Sequence, residues 1–66
     1  ATIRELAPGR CKLSLRTDPA VLDATRTCAL LGGGGHRAAA GATLELPLEE
    51  TKAAVRQAIR QVLAEG

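Results

Sequence analysis

The chain has 66 residues, a net charge of +2 and 45% apolar residues, with no Phe, Trp, Tyr or Met. That length admits one domain with a small core, and the apolar share argues against a disordered tail. The missing aromatic rings exclude base stacking, so any nucleic acid held here is held by charge, backbone amides and His.

Ile3 to Leu6 reads as a short strand or the end of a linker, and Ala7-Pro8-Gly9 reads as a turn. Cys11 to Arg16 alternates apolar and polar residues without a break, which predicts a half-buried strand. Cys11, Leu13 and Leu15 then face inward, and Lys12, Ser14 and Arg16 form one row on the other face. Asp18-Pro19 carries the marks of a helix start, an Asp cap followed by Pro at the first helical position. Val21, Ala24, Cys28 and Leu31 follow at helical spacing as the expected buried stripe, and Gly32 ends the helix. After the Gly32–Gly35 run, His36 to Ala40 predicts a short helix ended by Gly41. Ala42 to Leu46 alternates again as a strand, and Pro47 breaks it. Leu48 to Ala64 predicts a long amphipathic helix with Val55, Ile59 and Val62 inward, and Glu49 and Glu50 suit the positive end of its dipole. The expected fold is therefore α/β in the α+β sense, a small mixed sheet packed against helices in a single two-layer domain.

Seven of the nine cations are Arg, whose planar fork suits phosphate and carboxylate; a GC-rich genome or a thermophilic source would give the same bias. Two cysteines with no C-x-x-C spacing read as free thiols of an intracellular protein. No apolar run approaches the roughly 20 residues that span a membrane. The chain opens directly on a folded-looking segment, as a domain excised from a longer protein would.

The Gly32-Gly33-Gly34-Gly35-His36 run has two readings. One is a flexible linker. The other is an anion site, in which side-chain-free residues admit a ligand to the backbone, glycine amides form a nest, and a following helix N-terminus adds positive potential. The second suits a domain too small to spend four residues on slack. His36 at the mouth of such a site would donate a hydrogen bond to phosphate. A metal role for His36 lacks partners, because only Cys11 and Cys28 could join it and no zinc spacing is present; a Cys–His nucleophile pair has no supporting motif. Ser14 and Arg16 share a strand face, either as a solvated surface or as a phosphate clamp. Lys52, Arg56 and Arg60 recur every four residues on the last helix, as a solvated face eased by Glu49 or an auxiliary phosphate track.

The segment Gly32 to Gly41, GGGGHRAAAG, resembles the G-G-G-H-x-x-A-A-G signature of the DHH-associated C-terminal domain, and Lys12 to Thr17 resembles that domain's S-x-R-S strand, with Thr17 where Ser is usual. The likeness runs from strand to final helix over nearly all of residues 1–66. The four-glycine form is most similar to the nanoRNase type, which acts on short oligoribonucleotides and 3′-phosphoadenosine-5′-phosphate; RecJ-type exonucleases share a shorter form. The resemblance implies a cytoplasmic, manganese-dependent phosphoesterase in which an N-terminal Asp-His-His domain of the same chain holds the metal. This domain would close over it and bind a nucleotide or short single-stranded oligonucleotide. It implies substrate binding by Arg16, by His36 and by the glycine loop, so the expected site is Ser14, Arg16, Gly33, Gly34, Gly35 and His36. No metal or catalytic group is expected in these residues, since the chain has only Asp18, Asp23 and one His. The competing expectations are a non-catalytic nucleic-acid-binding accessory domain, like the C-terminal module of alanyl-tRNA synthetases, and a structural or oligomerising module.

Overall fold

The computed structural model describes residues 1–65. Six elements follow one another: β1 (Thr2–Ala7), β2 (Arg10–Arg16), α1 (Ala24–Ala29), β3 (Gly34–Gly35), β4 (Ala39–Leu44) and α2 (Leu48–Glu65). The strands make one four-stranded sheet in the order β1-β2-β4-β3, and every neighbouring pair is antiparallel. The sheet foreseen as mixed is thus antiparallel throughout. With both helices laid against one of its faces, it forms the expected two-layer α+β domain.

β1 and β2 form a hairpin across Pro8-Gly9, where Gly9 takes φ +81° and Pro8 pre-sets the preceding position. The period-2 pattern of β2 does what its sequence says: Cys11, Leu13 and Leu15 are buried while Lys12, Ser14 and Arg16 are exposed. Leu13 and Leu15 meet Ala42 and Ala40 across the β2–β4 ladder. The core beneath them is Leu13, Leu15, Ala24, Cys28, Ala42, Leu44 and Val55, with Ile3, Leu31 and Ile59 packed at its margin. α2 contributes Thr51, Val55, Ala58 and Val62 to the buried side, and the Thr51 hydroxyl satisfies itself on the Leu46 carbonyl at 3.2 Å.

Two local expectations fail. The helix foreseen from Asp18 starts at Ala24 instead, with Asp23 as its cap in extended conformation, accepting from Arg26 N. Asp18 makes one isolated turn: its side chain accepts from Ala20 N, and its carbonyl takes Val21 N and Leu22 N. The helix cannot run through Leu22 because the Thr17 hydroxyl donates to the Leu22 carbonyl at 2.7 Å, and Ala24 N donates to Arg37 O at 2.9 Å. Val21, foreseen as buried, is 70% exposed. The second failure is the His36–Ala40 helix. These residues are the turn of a β3–β4 hairpin and the first two residues of β4, closed by His36 N to Ala39 O at 2.7 Å and Ala39 N to His36 O at 3.1 Å. Five residues between glycines cannot repay helix nucleation, and pairing with the long, well-patterned β2 wins.

Candidate functional site

The helices cover the Leu13 face of the sheet and leave the other face open. In an antiparallel ladder directly opposed residues share a face, so the pairing assigns the open face rung by rung. Arg16 opposes Ala39, which in turn opposes His36 across the hairpin. The next rung is Thr2, Ser14, Gly41 and Gly34. After it comes Arg4, Lys12 and Thr43. Successive rungs lie about 7 Å apart along the strands.

Two adjacent rungs therefore bring together Arg16, His36, Ser14 and Gly34, four of the six residues expected from the sequence although they come from segments twenty residues apart. The other two sit elsewhere. Gly33 and Gly35 serve the fold: a Cβ at Gly33 would lie 2.1 Å from the Gly41 carbonyl oxygen and 2.7 Å from Ala42 Cα, and one at Gly35 would lie 2.6 Å from Ala40 Cα. Gly34 differs from both. A Cβ there would meet nothing within 4 Å, and its φ is not in the left-handed region. Neither contact nor conformation within the chain requires glycine at this position, and its bare backbone lies in one rung with the Ser14 hydroxyl.

The glycine run is not the nest that its composition suggests. Gly32, at φ +82°, closes α1 in the Schellman manner, with Gly32 N on Ala29 O at 3.2 Å and Gly33 N on Cys28 O at 2.8 Å. Those two amides are spent inside the fold. No helix follows the run, so no helix dipole points at it, and the first amide of α1 is taken by Arg37 O. Ladder alternation leaves Gly35 at a non-hydrogen-bonded position, where its carbonyl accepts from the Thr25 hydroxyl at 3.4 Å and its N–H faces the outer edge. What remains for an anion is the open face itself: the Ser14 hydroxyl, the Arg16 guanidinium and the His36 ring, with the room that Gly34 leaves, its own N–H being directed into the β3–β4 ladder.

Charge supports this assignment. Arg10, Arg26, Arg37 and Lys52 are paired with Glu45, Glu65, Asp23 and Glu49, whereas Arg4, Lys12 and Arg16 on the open face, and Arg56 and Arg60 on α2, have no ion-pair partner among the described residues. Glu45 is the one carboxylate aligned with the open-face rungs, and Arg10 Nε holds it at 3.1 Å. Arg4, Thr2, Thr43 and Gly41 join the face through pairing, which sequence periodicity alone cannot supply.

Other chemistry finds no footing. Cys11 and Cys28 are fully buried, and burial pushes the Cys28 thiol up, so it stays protonated and unreactive. Among the described residues no group of three or more His, Cys, Asp or Glu side chains could hold a metal ion. A cleft lined by Pro19, Val21, Asp23, Arg26, Val62 and Glu65 lies against the end of α2, where the Arg26–Glu65 pair occupies its only charges besides Asp23. Among the described residues no helix is long and apolar enough to cross a membrane. Compared with protein-family models and with curated proteins, the chain matches none.

Proposed function

We propose that the chain is a nucleotide-phosphate-binding domain of a manganese-dependent DHH-type phosphoesterase acting on short oligoribonucleotides or 3′-phosphoadenosine-5′-phosphate in the cytoplasm. The observation that carries the reading is Gly34. It is a glycine without an internal reason, in the rung of Ser14 but across Gly41 from it, one rung from Arg16 and His36, on a face where Arg4, Lys12 and Arg16 have no ion-pair partner among the described residues. A phosphate approaching there accepts two hydrogen bonds from the Arg16 fork and others from Ser14 and His36, while Gly34 lets it come close to the backbone. Hydrolysis needs an activated water; in this reading the bond is broken by residues of a DHH domain that the open face covers.

The test is hydrolysis by the protein that carries this chain. With manganese, the reading expects cleavage of a trinucleotide or of 3′-phosphoadenosine-5′-phosphate, lowered at least tenfold by Arg16→Ala. Nucleotide binding without turnover, in a protein with no Asp-His-His triplet, would instead make the chain an accessory nucleic-acid-binding domain.

A further inference from the structure

The phosphate site just described uses two rungs of the open face and leaves a third. Arg4 and Lys12 oppose each other directly across the β1–β2 ladder. Both are exposed, and neither has a carboxylate partner among the described residues. Like charges placed directly opposite each other destabilise a hairpin, so an external anion there relieves a repulsion that the fold leaves standing. Thr43 closes the rung on the other side and adds a hydroxyl donor. From Arg16 to Lys12 the strand advances about 13 Å, so one phosphate clamped at Arg16 leaves Lys12 and Arg4 free for another.

Resting on the phosphate-binding reading above, we propose that Arg4 and Lys12 form a second phosphate site, and that the face takes the backbone of a short single-stranded oligonucleotide running along β2 in preference to a mononucleotide. Charge complementarity selects this occupant. Of the five cations without an ion pair among the described residues, the three on the sheet, Arg4, Lys12 and Arg16, lie in a line along one strand and its neighbour, with small residues between them: Ser14, Gly41, Gly34 and Thr2. A ladder of phosphates fits that line. The absence of Phe, Tyr and Trp removes the large stacking platforms, so binding depends little on base and is governed by salt.

The experiment titrates the purified chain with adenosine monophosphate, with 5′-phosphorylated triadenylate and with a triglutamate peptide, following amide shifts at several salt concentrations. Triadenylate binds about tenfold tighter than the monophosphate, as expected when a second charged contact is added. Arg4→Ala and Lys12→Ala each weaken triadenylate by about two- to fivefold, the range of an exposed ion pair. Each also flattens the slope of log affinity against log salt by about 0.7. Neither changes the monophosphate, whereas Arg16→Ala weakens both ligands. Lys12→Arg, which keeps the charge, retains triadenylate affinity, and unchanged melting of each variant excludes misfolding. Triadenylate binding no tighter than the monophosphate, or undiminished in Lys12→Ala, overturns the second site and leaves the first intact. Triglutamate binding as tightly as triadenylate overturns it in favour of an acidic protein surface. Monophosphate binding indifferent to Arg16→Ala refutes the underlying reading itself.

Discussion

Replacing Gly34 with Ala separates a glycine kept for a ligand from one kept for the fold. The added Cβ has nothing within 4 Å and the backbone is not left-handed. The methyl group also narrows the unfolded ensemble, so Gly34→Ala should be neutral or stabilise by about 0.4–1 kcal/mol. In a domain of this size that is a rise in melting temperature of a few degrees. The same methyl stands on the open face in the rung of Ser14, one strand beyond Gly41, where the ligand would approach. If phosphate or sugar packs against the Gly34 backbone, overpacking costs about 1–3 kcal/mol, or roughly five- to more than a hundredfold in affinity. Gly33→Ala is the control, because its Cβ would lie 2.1 Å from the Gly41 carbonyl and backbone would have to move. It should destabilise by about 1–3 kcal/mol. The assay is thermal melting by circular dichroism together with nucleotide titration by amide shifts. Gly34→Ala that melts normally and binds normally refutes the ligand argument, and Gly34→Ala that melts several degrees lower refutes the claim of open space.

Arg16→Ala should melt like the parent, since exposed substitutions away from structural features stay within about 0.5 kcal/mol, yet lose about 1.5–3 kcal/mol of phosphate binding; Arg16→Lys should not restore it, because an ammonium lacks the two-pronged contact, and calorimetric titration checks both. Leu13→Ala removes a side chain with no exposed surface and should cost about 2–5 kcal/mol, against a total of roughly 3–10 kcal/mol for a domain of this length, so denaturant titration should find it near or beyond its unfolding midpoint. The hydrogen bond from Arg26 holds the Glu65 carboxyl below its ordinary value of 4.5. The stability this pair adds is fully present above that value and lost as pH falls through the lower folded one, so the melting difference between the parent and Arg26→Ala should shrink between neutral pH and pH 3. Both cysteines are buried, so iodoacetamide should label the folded chain slowly and the chain in denaturant fully.

The parts of this fold that can be read from sequence are those whose partners are local. β2 declares itself because six residues alternate without interruption, and α2 because its apolar spacing persists over 18 residues between Pro47 and the end of the stripe. α1 was harder. Asp18-Pro19 and Asp23 both carry cap chemistry, and the choice between them is made by Thr17 on Leu22 O and Arg37 O on Ala24 N, contacts that cross the chain. The Ala-rich stretch after the glycines has helix propensity, but its true state depends on Ala40 and Ala42 finding Leu15 and Leu13 in β2. The candidate site shows the same division. Ser14 and Arg16 share a face by periodicity, whereas the alignment of His36 and Gly34 with them depends on pairing across β4. The separate duties of Gly32, Gly33 and Gly34 cannot be told from a row of identical letters.

The central claim is that the open face, at Ser14, Arg16, Gly34 and His36, binds nucleotide phosphate. The most direct measurement is a titration of the isotope-labelled chain with adenosine monophosphate at low salt, followed by amide and His ring shifts. Weak saturable binding is expected, with a dissociation constant in the millimolar range, about −4 kcal/mol, and shifts concentrated at Ser14, Gly34, His36 and Gly41. Shifts confined to Arg56 and Arg60 on α2, or none at all, would contradict it.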